Sequence, residues 1–155
     1  MPKTPSKKKA DIKDSERVRV AIVAADFNEA IVQPMIDKAI ETLKDFECEV
    51  DIVLSVPGAF ELPLVLDAVL QRNDVDAAVA LGFIERGETL HGEVMGHVVY
   101  KAILDLQLMY GKPVGIGIIG PGAVLKQAKK RNVAYAEAAA EAAVHTLVCL
   151  EDAAA

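Results

Sequence analysis

Beyond residue 16, apolar runs alternate with helical patterns four times along the chain. The first run, Val18 to Ala24 (VRVAIVA), is β-rich and nearly continuous, the pattern of a strand covered on both faces. From Asn28 or Glu29 to Phe46, apolar residues recur at steps of three and four (Ile31, Met35, Ile36, Ala39, Ile40, Leu43), which predicts a helix. Pro34 sits early in it, where a proline disturbs least. Val50 to Val56 predicts a second strand, after which VPGAFELP turns into a helix ending near Arg72, with Pro63 in its first turns. Ala77 to Phe83 (AAVALGF) predicts the third strand, and a polar turn, ERGET, leads to a helix from Leu90 to Tyr110, ended by Gly111. Val114 to Ile119 predicts the fourth strand, entered through Lys112-Pro113. Gly120-Pro121-Gly122 then makes a turn into a long Ala-rich helix over Ala123 to Leu150.

Four βα units of this size predict parallel strands with helices on both faces. The expected architecture is an α/β/α three-layer sandwich around a four-stranded parallel, flavodoxin-like sheet. The expected organisation is a flexible basic tail over residues 1–16 and one domain over 17–155. At 155 residues, 52% apolar and 26% charged, the balance is that of a globular chain with a sizeable core. The net charge of −6 disfavours nucleic acid as main partner, because a phosphate backbone rewards a basic face. A small anionic substrate stays open, since one local cation can serve it.

Cys48 and Cys149 form neither a C-x-x-C pair nor a metal spacing, and both read as buried small hydrophobes. Three scattered histidines argue against a metal site. No apolar run approaches the roughly 20 residues of a membrane span. The start, MPKTPSKKKADIKDSE, lacks the apolar segment of a signal peptide. The expected compartment is the cytoplasm, with no membrane partner.

Residues 115 to 120, GIGIIG, match the G-x-G-x-x-G spacing of a dinucleotide-binding turn. In such a site the glycines belong to the first βα turn, and an acid follows at the end of the next strand. Here the first two lie within the fourth strand and no strand follows. The fingerprint fails on context. Gly115 and Gly117 instead read as places where something approaches a strand closely.

In an open parallel sheet, ligands bind beyond the carboxyl ends of the strands. The segments there read DFN (26–28), PGAFE (57–61), GFIERGETLH (82–91) and GPGA (120–123). Phe27 and Phe60 are flat apolar surfaces suited to a planar ring, or ordinary core aromatics. Asn28 reads as an N-cap, and Glu61 as a carboxylate favoured in a first helical turn. Gly87-Glu88-Thr89 brings free backbone N–H groups to a helix start, a ready anion site. His91 follows within the first turn, and an imidazole exchanges protons near neutrality. His97, six residues on and roughly 240° around the helix, should face elsewhere. His145 has no motif around it.

Taken together, FN (27–28), VPGAFELP (56–63), ALGFIERGETLH (80–91) and QAKKR (127–131) resemble the 6,7-dimethyl-8-ribityllumazine synthase family, over about residues 17 to 150. The GPG segment is similar to the archaeal branch. The resemblance implies a condensation of 5-amino-6-ribitylamino-uracil with 3,4-dihydroxy-2-butanone 4-phosphate, without metal or organic cofactor. An amine attacks a ketone, phosphate is eliminated and a ring closes. By resemblance Phe27 stacks on the pyrimidine, while Asn28, Ala59, Phe60 and Glu61 bind the ribityl chain. Phe83 and Ile84 wall the pyrimidine. Gly87, Glu88 and Thr89 hold phosphate, and His91 is the general acid/base. Arg131 matches the phosphate-binding arginine, its planar fork suited to that ligand, and Ile116 lies on a strand forming a fourth pocket wall. The resemblance further implies a homopentamer, with the strand-four side and Arg131 supplied by a neighbouring subunit, and in some members an icosahedral shell of pentamers.

Two positions depart from the family pattern. RNVAYAEAAAEAA (131–143) lacks the usual glycine and lysine, which predicts an unbroken last helix, and Gly92 follows the histidine where Phe or an acid is usual. A non-catalytic shell-forming or flavin-binding relative and the archaeal pentameric riboflavin synthase are the competing readings. The latter is weakened by the intact GETLH and FN. Asp26 stands alone at the end of strand one, which sets aside a phosphate-receiver module.

Overall fold

The computed structural model describes residues 17–155, so the expected tail lies outside the described residues. The chain alternates β1 (Val20–Ala25), α1 (Glu29–Asp45), β2 (Val53–Val56), α2 (Leu62–Leu70), β3 (Ala77–Glu85), α3 (His91–Tyr110), β4 (Val114–Ala123) and α4 (Leu125–Ala154). A short 3-10 turn, Ala59–Glu61, precedes α2. The four strands form one parallel sheet in the order β2-β1-β3-β4.

Because side chains alternate along a strand, each central strand feeds two cores. Val20, Ile22 and Ala24 of β1 join Ala77, Val79 and Leu81 of β3 beneath α1 and α4. Ala21, Val23 and Ala25 join Ala78 and Ala80 beneath α2 and α3. This is why both strands read as unbroken apolar runs. β2 differs: on the sheet edge, Val53 and Leu54 are 40% exposed. At the amino ends of the strands, Arg19 ties the α1–β2 and α2–β3 connections together through Glu49 (2.9 Å), Asp51 (3.1 Å) and Asp74 (2.8 Å).

The fourth strand is longer than its sequence suggests. Gly120-Pro121-Gly122 is not a turn but the end of β4, which stays paired to β3 across an irregularity until Ala123 meets Glu85. Glycine and proline punctuate turns so often that an extended run through them is invisible to a pattern reading. What approaches Gly115 and Gly117 is α4 of the same chain. A Cβ on Gly115 would overlap the carbonyl oxygen of Ala139, and one on Gly117 would lie 3.0 Å from the Ala139 Cβ. The buried alanines 136, 139, 140 and 143 are the other half of that contact.

α4 runs unbroken for 30 residues, as the missing glycine predicts. It is also long and apolar enough, by length and composition, to cross a membrane, with 28% of its most apolar window buried inside the structure. The expectation of no such run overlooked it because its apolar character is mostly alanine. The face carrying those alanines packs on the sheet and on α1. Cys48 is buried as expected, whereas Cys149 is exposed near the end of α4.

Candidate active site

Beyond the carboxyl ends of β1, β2 and β3, a cavity of about 400 Å³ opens between the loops. Phe27 stands at the end of β1, Pro57, Gly58 and Ala59 follow β2, and Phe83, Ile84 and Glu85 end β3. Arg86, Gly87 and Thr89 of the next turn and His91, Gly92 and Met95 of α3 complete the lining. Its volume falls within the range of small-molecule sites. Phe83 and Ile84 are buried walls, whereas Phe27 is 50% exposed, leaving ring surface open to a ligand.

A second cavity of about 430 Å³ adjoins the first and shares Glu85, Arg86, Gly87, Thr89 and Gly92 with it. Glu88, Leu90, Glu93 and Gly122 line the rest. The 86–90 turn ends where α3 begins, so unpaired helical N–H groups and the positive end of the helix dipole face this space. The Thr89 hydroxyl accepts a long hydrogen bond (3.4 Å) from the backbone N–H of His91. Of these two adjoining spaces, one is walled by aromatic and aliphatic groups, and the other by a helix start, Arg86 and the carboxylates of Glu85, Glu88 and Glu93.

His91 is the first residue of α3, and its imidazole lies against the ring of Phe60, with centroids 5.8 Å apart. His97 is exposed on the outer face, 3.8 Å from Glu93, and His145 packs edge-on against Phe46 at the far side. Of the three histidines, His91 lines the first cavity, and His97 and His145 line neither of the two.

Asn28 occupies the N-cap position of α1, but its side chain does not cap. The residue is left-handed (φ 60°, ψ 65°), a conformation asparagine tolerates, and the helix is started by its carbonyl, which accepts from Ile31 N–H (2.8 Å) and Val32 N–H (3.1 Å). The side-chain Nδ2 is buried without a partner among the described residues. Such a group costs free energy unless something bonds to it. Glu61 is exposed on the 3-10 turn, its carboxylate close to Gly58.

Of the expected residues, Asn28, Phe60, Glu61, Ile116 and Arg131 line neither cavity in this chain. Ile116 pairs with Ala80 and packs into the core beneath α2 and α3. Arg131 is exposed in the first half of α4. In their place, Arg86 is the one lysine or arginine lining both cavities among the described residues. It was legible as the basic residue of the ERGET turn, but a single arginine in a polar loop carries no spacing to mark it.

The sequence matches the family model of 6,7-dimethyl-8-ribityllumazine synthase over residues 17–151. It is 44% identical over 127 residues to the 6,7-dimethyl-8-ribityllumazine synthase of Metallosphaera sedula, covering 82% of this chain and 84% of that one. The enzyme of the same name from Pyrobaculum arsenaticum is 43% identical over 127 residues, covering 82% and 85%. That from Staphylothermus marinus is 44% identical over 124 residues, covering 80% and 83%. The matched span takes in every strand, every loop at the cavity mouth and nearly all of α4, and on that likeness the chain belongs to the 6,7-dimethyl-8-ribityllumazine synthase family.

Proposed function

We propose that the protein is a 6,7-dimethyl-8-ribityllumazine synthase, condensing 5-amino-6-ribitylamino-uracil with 3,4-dihydroxy-2-butanone 4-phosphate and releasing phosphate. Family membership across both cavities is the observation that carries this reading. Phe27, Phe83 and Ile84 bind the pyrimidine, the half-exposed ring of Phe27 stacking on it. Asn28 Nδ2, which has no partner among the described residues, donates to the ribityl chain. Ala59, Phe60 and Glu61 complete that subsite.

 The phosphate group sits at Gly87, Glu88 and Thr89, where helical N–H groups supply donors, and His91 moves protons as the amine attacks and the ring closes.

Arg131 and Ile116 act in this reading from a neighbouring subunit, as members of a homopentamer. The support is the apolar surface this chain leaves uncovered. Leu90, Val94 and Val98 are spaced four apart along the outside of α3, and each is more than half exposed. Val133, Tyr135 and Leu150 are exposed on α4, with Tyr135 one turn on from Arg131. A surface of this kind marks an interface. Assembly of pentamers into a shell and a cytoplasmic location are the further parts of the proposal. The test is direct: mix the purified protein with both substrates and follow lumazine absorbance. Absence of product from correctly folded, assembled protein would sink the synthase reading.

A further inference from the structure

Three residues four apart, Gly92, Gly96 and Tyr100, form one seam along α3. A Cβ on Gly92 would meet the carbonyl oxygen of Glu85 at 3.1 Å and Cγ2 of Ile84 at 3.4 Å. One on Gly96 would lie 2.6 Å from Cδ of Pro121. The Tyr100 hydroxyl donates to the carbonyl oxygen of Gly120 (2.6 Å) and shares its proton with that of Ile118 (2.9 Å). The seam therefore grips the end of β3 at its first turn and the end of β4 two turns later. Burial, with a smaller contribution from Tyr135, pushes the Tyr100 hydroxyl up to about 12, so it remains a donor near neutral pH.

Tyr100 and the two residues whose carbonyls it bonds line neither cavity, but neighbours of the seam do. Ile84, Glu85, Gly92 and Met95 are walls of the first cavity, and Gly122, just past the gripped carbonyl, is a wall of the second. The 86–90 turn runs from the gripped end of β3 to the start of α3. A small slide of α3 along the seam moves the helix start, and with it every donor aimed at an anion.

We propose that Tyr100 is a positioning residue whose hydroxyl, bonded to Gly120 and Ile118, sets the α3 start against the β4 end and so tunes the phosphate subsite. This rests on the synthase reading. The experiment uses the full-length, assembled protein and Tyr100→Phe, which keeps the ring and removes the hydroxyl. KM for the sugar phosphate should rise about three- to ten-fold, the factor matching one net hydrogen bond. The affinity for inorganic phosphate, measured by calorimetry, should fall by a similar factor, while KM for the pyrimidine rises less. Gly96→Ala keeps the hydroxyl but pushes the helix away from Pro121, so it should show the same split. A lowered melting temperature with both KM values and phosphate affinity unchanged would reduce Tyr100 to a structural role and overturn the proposal. If Tyr100→Phe does not fold, an unchanged phosphate affinity in Gly96→Ala overturns it instead. Wild-type protein that makes no lumazine would defeat the synthase reading alone, because phosphate affinity still reports on the seam.

Discussion

The imidazole of His91 stands edge-on to the ring of Phe60, with planes inclined at 71°. This contact joins the segment after β2 to the start of α3, so two loops distant in sequence fix one proton-carrying group. Phe60 is 45% exposed, which leaves ring surface for a ligand while the rest orients the imidazole.

His91→Ala should lower kcat by about 10²-fold, the low end for a positioned acid–base group, because the condensation proceeds slowly unaided. Phe60→Ala should lower kcat less and raise KM for the pyrimidine. His97→Ala, altering an exposed residue beside Glu93, should leave turnover unchanged. Steady-state kinetics on the three variants checks the ranking, and a larger loss for His97 would show that the wrong histidine carries the chemistry.

Arg131→Lys keeps a positive charge but loses the planar fork. KM for the phosphate substrate should rise by about ten-fold or more, in line with a charge-assisted hydrogen bond, while pyrimidine binding holds. Arg86→Gln should raise the same KM, since Arg86 lines both cavities alongside Glu85. Equal loss for both substrates in either variant would indicate a folding defect rather than a lost anion contact.

Gly115→Ala should destabilise the chain by about 1–3 kcal/mol, the usual cost of overpacking. The obstacle is the backbone of α4, which cannot swing aside as a side chain can. Gly87→Ala should change stability by no more than about 0.5 kcal/mol, because nothing lies within 4 Å of a Cβ there. Urea unfolding of both variants makes the comparison. Equal midpoints would mean that α4 can retreat from β4 without cost.

Burial, then the charge of Asp76, pushes the Cys48 thiol from 9.0 up to about 11. The folded chain thus holds this proton more tightly than the unfolded chain does. The stability it contributes is complete below pH 9.0 and is lost as pH rises toward about 11. Urea midpoints across that window should fall less steeply in Cys48→Ala than in the wild type. Parallel slopes would show that the thiol does not titrate differently on unfolding.

The layers were legible because β1 throughout and β3 as far as Ile84 carry no polar side chain, which only a strand covered on both faces requires. The end of β4 was not, since its extension through Gly120-Pro121-Gly122 depends on pairing with β3, a partner distant in sequence. Position in the chain identified Asn28 as a cap, but its left-handed backbone turns the side chain away from that task. Phe27, the 87–89 turn and His91 were legible because parallel strands put their carboxyl ends together. Cys149 was misread through residue type alone: cysteine is usually buried, but α4 presents this position outward.

The last prediction concerns assembly. Arg131 is on α4 and reaches neither cavity in its own chain, whereas Phe27 and His91 line one of them. If all three serve one substrate, a second copy must bring its α4 to the cavity mouth. Along α4, Ala134, Ala138 and Ala142 are exposed at four-residue steps, small enough to let another helix approach closely. Light scattering should therefore find a particle near five times 16.6 kDa, or a much larger one if pentamers build a shell. Replacing Ala138 by Glu places a charge in that helix contact and should yield smaller particles that fold but make little lumazine. Arg131→Ala and His91→Ala protein, each impaired alone, should regain activity when co-assembled, because some sites then pair an intact histidine with a neighbour's intact arginine. No recovery in mixed particles, or a stable monomer that makes lumazine, would refute the shared site.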